Sequence, residues 1–155
     1  MARKKPNTAP FWRFLFLIYA LVLLCLLFYR SSRWDPELGY QQLLQSGSNF
    51  TPLYTIRNYV NIILHYPNSV YYRHCIINLV GNILLFIPIG FFLPRIFHKT
   101  ARFFPFIAVC FGCLLLVETL QLLTLTGSFD VDDILLNMAG ALLGFALSKF
   151  FGIKK

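Results

Sequence analysis

The stretch that decides the fold is Ile76-Ile77-Asn78-Leu79-Val80-Gly81-Asn82-Ile83-Leu84-Leu85-Phe86-Ile87-Pro88-Ile89-Gly90-Phe91-Phe92-Leu93-Pro94, nineteen positions without a charged side chain. At about 1.5 Å per residue a helix of that length nearly spans a ~30 Å hydrocarbon core. Three comparable stretches flank it: Phe11 to Tyr29, about Phe103 to Leu125, and about Ile134 to Phe151. The expected fold class is therefore all-α integral membrane, with four transmembrane helices and a long outer loop between helices 1 and 2. Residues 1–155 form one membrane domain in this reading, with spans at about 11–29, 76–94, 103–125 and 134–151 and the outer loop at 30–75.

Composition agrees. Hydrophobic residues make up 57% of the 155, charged residues 13%, and the mean hydropathy is +0.64. Soluble domains carry about a quarter charged residues, so this chain has too little charge to solvate a compact surface. The same figures exclude intrinsic disorder. A net charge of +8 invites a nucleic-acid reading, which needs basic residues interleaved with aromatics on one face. Here they cluster at the ends of spans instead, and no nucleic-acid partner is expected.

Those clusters orient the chain. With the N-terminus inside, Arg3, Lys4, Lys5, Arg13, Arg95, Lys99, Arg102, Lys149, Lys154 and Lys155 fall on the cytoplasmic side. Only Arg30, Arg33, Arg57 and Arg73 fall outside. The positive-inside rule then puts both termini in the cytoplasm. Trp12, Tyr29 and Trp34 suit the interfacial aromatic belts. The first span follows basic residues as a signal peptide would, but Phe28-Tyr29-Arg30 offers no small-residue cleavage site, so it is expected to stay.

In the outer loop, Tyr40 to Gln45 reads as a short helix and Ser46-Gly47-Ser48-Asn49 as a turn. From Phe50 to Leu64 the apolar spacing fits either an amphipathic segment on the outer leaflet or a loop packed over the bundle mouth. Cys110 and Cys113 have redox or zinc spacing, yet both lie within a span without a second ligand pair. No metal site and no cofactor is expected. Cys25 and Cys75 both sit near outer span ends, so a disulfide between them is conceivable. His65, His74 and His98 read as ordinary loop or interfacial histidines.

Polar residues inside the spans carry the most information. Asn78 and Asn82 lie four apart, on one side of helix 2. Helix 3 carries Glu118 and Gln121, with Glu118 about 10 Å below the outer boundary. The turn Thr126-Gly127-Ser128-Phe129 leads into Asp130, Asp132 and Asp133, and Asn137 follows Asp133 by four. All of these side chains share the outer half of the membrane, so they form a candidate ligand-binding pocket: Asn78, Asn82, Glu118, Gln121, Asp130, Asp132, Asp133 and Asn137. Each also has a bland explanation. The asparagines can bridge helices by hydrogen bonds worth roughly 1 kcal/mol or less, and Asp130 or Asp132 can cap helix 4. Glu118 is the strongest candidate, because a carboxyl group within a span is costly and usually functional. Pro88 should kink helix 2 and Pro94 close it, while Gly140 and Gly144 form a GxxxG pattern suited to close packing.

Several of these stretches together resemble the VanZ-like membrane proteins. They are Asn49-Phe50-Thr51-Pro52-Leu53-Tyr54-Thr55-Ile56, Asn78-Leu79-Val80-Gly81-Asn82 with Phe86-Ile87-Pro88-Ile89-Gly90, Glu118-Thr119-Leu120-Gln121, Gly127-Ser128-Phe129-Asp130-Val131-Asp132-Asp133-Ile134, and Asn137-Met138-Ala139-Gly140. The resemblance covers about residues 49 to 145. It implies a multi-pass protein of the bacterial cell membrane, in a family named for a protein that lowers susceptibility to the glycopeptide teicoplanin. Some members carry an arginine near the Gly127-Ser128 turn, where this chain has none.

Three functions fit the residues and the resemblance. In the leading one, the outer polar pocket lowers glycopeptide or lipoglycopeptide action without catalysis. Its partners are the lipid bilayer and a lipid-linked cell-wall precursor, a phospholipid headgroup or the lipoglycopeptide itself. The second is a membrane enzyme on a lipid-linked cell-envelope substrate, with Glu118 and Asp130, Asp132 or Asp133 as acid and base or as ligands of a divalent cation. The third is a small transporter component with Glu118 as relay. No catalytic residue is assigned.

Overall fold

The computed structural model describes residues 9–29 and 33–151. Arg3, Lys4, Lys5, Arg30, Lys154 and Lys155, counted in the orientation argument, lie outside the described residues. The elements run α1 (Ala9–Phe28), α2 (Tyr40–Ser46), β1 (Ser48–Asn49), α3 (Tyr54–His65), α4 (Tyr72–Ile96), a 3-10 turn at His98–Ala101, α5 (Phe103–Leu123), β2 (Phe129–Asp130) and α6 (Val131–Phe150). Four helices, α1, α4, α5 and α6, are long and apolar enough to cross a membrane. The fold is the expected all-α one.

Lipid offers no hydrophobic drive between helices, so their association depends on close packing. The α4–α6 pair supplies it and forms the centre of the bundle. Gly140 packs on Ile83 O and Gly144 on Ile87 O, while Gly90 of α4 packs on Ala141 O. At each of the three, an added methyl group would meet that carbonyl far inside van der Waals contact. The GxxxG pattern therefore serves an internal helix pair.

Two apolar clusters stack on this pair. Leu23, Phe86, Leu114, Phe129 and Ile134 form one. Leu93, Phe106, Cys110, Ala141 and Phe145 form the other, with the Phe106 and Phe145 rings 4.5 Å apart. Helix α1 is peripheral: Leu23 is its one buried side chain among the described residues. It is held to α4 by Tyr19 Oη, which donates to Leu85 O at 2.5 Å, and by Trp12 and Phe16 against Phe92.

Helix α4 begins at Tyr72 and continues through Pro88 and Pro94 to Ile96, so Pro94 does not close the span. A proline removes only the bond to the carbonyl four residues back. The last carbonyls of the helix keep their donors: Phe97 N and Thr100 Oγ1 both donate to Leu93 O at 2.9 Å, and Arg95 Nη1 donates to Phe91 O at 2.8 Å.

The loop segment is structured at one end of the bundle, called here the loop end. Strand β1 pairs in parallel with β2, Ser48 opposite Phe129 and Asn49 opposite Asp130. Helix α2 is fastened by Tyr40 Oη donating to Leu123 O at 2.8 Å. In α3, Ile56, Tyr59, Ile62 and Ile63 are half-buried on the α4 side, while Val60 and Leu64 are exposed. The segment is thus an amphipathic helix that also packs on the bundle. The conceivable Cys25–Cys75 disulfide is absent: all four cysteines are free, with Cys75 buried and Cys25 exposed. Cys25 lies on the loosely packed α1, facing a different environment.

Candidate functional site

The connection from α5 to α6 sets the site. Helix α5 ends in a left-handed residue, Leu125 at φ 55, with Leu125 N bonded to Leu122 O and Thr126 N to Gln121 O. This is a Schellman end with leucine where glycine is usual. Burial of the Leu125 side chain offsets the backbone cost. The turn is braced by Arg33, whose backbone N–H donates to Leu125 O at 2.7 Å and whose Nη1 donates to Gly127 O at 3.0 Å. The turn that has no arginine of its own is therefore met by one from the loop after α1. Its guanidinium also lies against Gly47, where any side chain would collide with it.

Strand β2 then delivers three aspartates to three different tasks. Asp130 is the N-cap of α6: its Oδ1 accepts from Asp132 N at 2.9 Å. The same carboxylate accepts from Asn49 Nδ2 at 3.2 Å and from Thr55 Oγ1 at 2.6 Å, tying β1 and α3 to α6. Asp132 is fully buried and caps a different helix. Its Oδ1 accepts from Leu53 N at 2.5 Å and its Oδ2 from Ile56 N at 3.0 Å, at the first turn of α3. Asp133 points to α4, where Asn82 Nδ2 donates to its Oδ1 at 2.6 Å.

Asn82 also donates to Asn78 Oδ1 at 3.5 Å. From α5, Glu118 is buried and its Oε2 accepts from Asp130 N at 3.3 Å. Gln121 Nε2 reaches across to α1 and donates to Leu27 O at 2.8 Å. Asn137 is 2% exposed, and its Oδ1 is a buried acceptor without a hydrogen-bond partner.

A cavity of ≈ 290 Å³ opens between these helices at the loop end. Six of the eight candidate residues line it: Asn78, Asn82, Glu118, Gln121, Asp133 and Asn137. Asp130 and Asp132 do not, since their carboxylates are turned toward α3, β1 and the start of α6. His74 and Ser128 line it as well, and neither stood out in the sequence as a site residue. His74 has a legible signal in retrospect: with Asn78 and Asn82 it completes an i, i+4, i+8 row down one face of α4. Leu26 and Leu27 of α1 close one wall, which no spacing rule announces.

The lining is amide-rich and acidic. Its carboxylates are Glu118 and Asp133, and no lysine or arginine is among the described residues that line it. The amides of Asn78, Asn82, Gln121 and Asn137 each present donors as well as an acceptor, and His74 and Ser128 add polar groups of both kinds. Among the described residues no His, Cys, Asp and Glu group has the makings of a metal site.

A second cavity of ≈ 290 Å³ lies deeper in the bundle, bounded by α1 and α5 and floored by Phe86, Ile89 and Ala141. Its walls are almost wholly apolar, and Cys110 and Cys113 are on the α5 side. That placement makes the two cysteines part of a hydrophobic surface.

Comparison with known proteins gives one result. A family model described as VanZ/LLP1 matches residues 16–152, nearly the whole chain. No curated protein and no solved structure matches.

Proposed function

The chain belongs to the VanZ/LLP1 family, and from that premise we propose that it lowers susceptibility to teicoplanin-type glycopeptides and lipoglycopeptides by binding, without catalysis. In this reading it is a multi-pass protein of the bacterial cell membrane with both termini cytoplasmic and the loop end outside. Its polar cavity would hold a lipid-linked cell-wall precursor, a phospholipid headgroup or part of the drug at the outer face. The supporting observation is that Asn78, Asn82, Glu118, Gln121, Asp133 and Asn137, from three helices, line one cavity at the loop end. Keeping so many polar groups within membrane spans is costly unless they serve a site.

Enzymatic use of a divalent cation is the weaker reading. It would pair Glu118 with Asp130, Asp132 or Asp133, and two of those three, Asp130 and Asp132, already accept from backbone and side-chain donors of α3 and α6.

The test is expression in a susceptible Gram-positive host, with teicoplanin and vancomycin inhibitory concentrations measured for wild type, Glu118→Ala and Asp133→Ala at matched membrane levels. A teicoplanin rise that both substitutions abolish is expected. Wild-type resistance in both variants would sink the pocket, and no rise with wild type would sink the resistance role.

A further inference from the structure

We infer that the end of the bundle opposite the loop end carries a docking site for an anionic phospholipid, formed by Lys99, Arg102 and Lys149 with the exposed phenylalanines beside them. The site is remote from the polar cavity and independent of what that cavity binds.

Charge is segregated along the bundle. The six acidic residues of the chain are Asp35, Glu37, Glu118, Asp130, Asp132 and Asp133. Contacts of Arg33 and Tyr40 with Leu125 and Leu123 put Asp35 and Glu37 at the loop end, where Glu118 also meets Asp130 at the start of α6. At the other end, the contacts of Trp12 with Phe92 and of Lys149 with Ala101 bring together the start of α1, the end of α4, the 3-10 turn and the end of α6. The described lysines and arginines there are Arg13, Arg95, Lys99, Arg102 and Lys149. Sixteen positions separate Glu118 from Arg102 and Asp133 from Lys149, about 24 Å at ~1.5 Å per residue, so no aspartate or glutamate reaches these cations.

Tertiary structure then concentrates three of them. Thr100 is buried, and its Oγ1 donates to Leu93 O at 2.9 Å and to Phe97 O at 2.8 Å, which fixes the turn His98–Ala101. From α6, Lys149 Nζ donates to Ala101 O at 2.7 Å. A third cation is thereby set on the turn that already carries Lys99 and Arg102, and all three residues are exposed. Like charges gathered on one turn repel, and an anion shared among them offsets that cost. An ammonium group has three donors, so Lys149 keeps donors for such an anion.

The surroundings choose among anions. Phe103 and Phe104 follow Arg102 directly, Phe150 follows Lys149, and all three rings are exposed. A free phosphate would use the cations and leave the rings uncovered. A phospholipid uses both, with its phosphate among the cations and its acyl chains against the rings. The rings stand at the ends of α5 and α6, which are long and apolar enough to span a membrane, so the turn lies at headgroup level.

The experiment uses the full chain with one tryptophan as reporter. Phe104→Trp in a Trp12→Phe/Trp34→Phe background reads the turn, and Trp12→Phe alone, which keeps Trp34, reads the loop end. Each protein is reconstituted in mixed phosphatidylglycerol and phosphatidylcholine vesicles, one lipid carrying brominated chains that quench tryptophan on contact. The ratio of quenching gives the preference for the anionic lipid. That preference should be about fivefold or more at position 104, the equivalent of ~1 kcal/mol for one engaged cation, and absent at Trp34. Lys99→Gln, Arg102→Gln and Lys149→Gln together should abolish it, whereas Lys149→Arg should retain it. Equal quenching by the two lipids at position 104, or the same preference at both ends, overturns the proposal. So does a preference that survives the triple substitution. A preference that inorganic phosphate removes at constant ionic strength overturns it too, because the site would then be one for the free anion.

Discussion

Replacing Asp132 by alanine should detach the first turn of α3 while leaving the bundle intact. The carboxylate is fully buried and accepts two backbone N–H groups, from Leu53 at 2.5 Å and Ile56 at 3.0 Å. It is the N-terminal cap of α3 supplied from another helix, and Leu53 itself has a left-handed backbone at φ 63 that the cap helps to hold. Hydrogen bonds to a charged acceptor contribute about 1.5–3 kcal/mol each. Leu53 is partly exposed, so water recovers some of that loss, and about 2–3 kcal/mol for the pair is the working figure. At about 1.4 kcal/mol per tenfold, the amides of Tyr54 to His65 should exchange with deuterium about 30- to 160-fold faster. Hydrogen exchange followed by mass spectrometry in nanodiscs reads this segment directly. Asp132→Asn, which keeps one good acceptor, should fall between, and Asp133→Asn should leave α3 unchanged because its partner is Asn82 on α4. Unaltered protection of α3 in a folded Asp132→Ala protein would refute the cap.

Other outcomes follow from the same geometry. Gly140→Val should separate α6 from α4 at Ile83 and cost about 3 kcal/mol or more, read as a lower thermal midpoint in detergent; an unchanged midpoint would mean that the close crossing is not real. Asn137→Leu removes a buried acceptor that has no donor, so stability should hold or rise by about 1 kcal/mol, while teicoplanin resistance should fall under the proposed function. A stability loss of several kcal/mol there would show that Asn137 bridges helices instead. Gln121→Leu should loosen the end of α1 at Leu27 by about 1 kcal/mol, visible as faster exchange at residues 26–29 with α4 and α6 unaffected.

Much of the arrangement was legible in the residues. Uncharged runs such as Ile76 to Pro94 can be stable in few environments other than a bilayer, and an i, i+4 spacing such as Asn78 and Asn82 places side chains together on any helix. What local rules missed has definite causes. Pro94 does not end α4, because a proline removes only the one bond to the carbonyl four residues back, and the helix runs on to Ile96 with Arg95 and Thr100 side chains donating to its last carbonyls. Arg33 at the Gly127 carbonyl and Leu27 in the cavity wall come from segments far away in sequence, so no spacing rule connects them to the site. His74 passed for a loop residue because α4 begins four residues before the apolar run does.

The three aspartates mark the boundary most clearly. Sequence alone determined that this chain is a helical membrane protein, since apolar length dictates it, and it set Asp130, Asp132 and Asp133 almost side by side ahead of the last apolar run. It did not determine which aspartate meets the cavity. Successive helical residues point about 100° apart, so neighbours at the start of α6 must face different partners. Only once α3 had packed beside α4 and α6 did one of those directions acquire helix N–H groups to cap and another an asparagine to meet. Asp132 became a buried cap and Asp133 a cavity wall because of what stood opposite each of them.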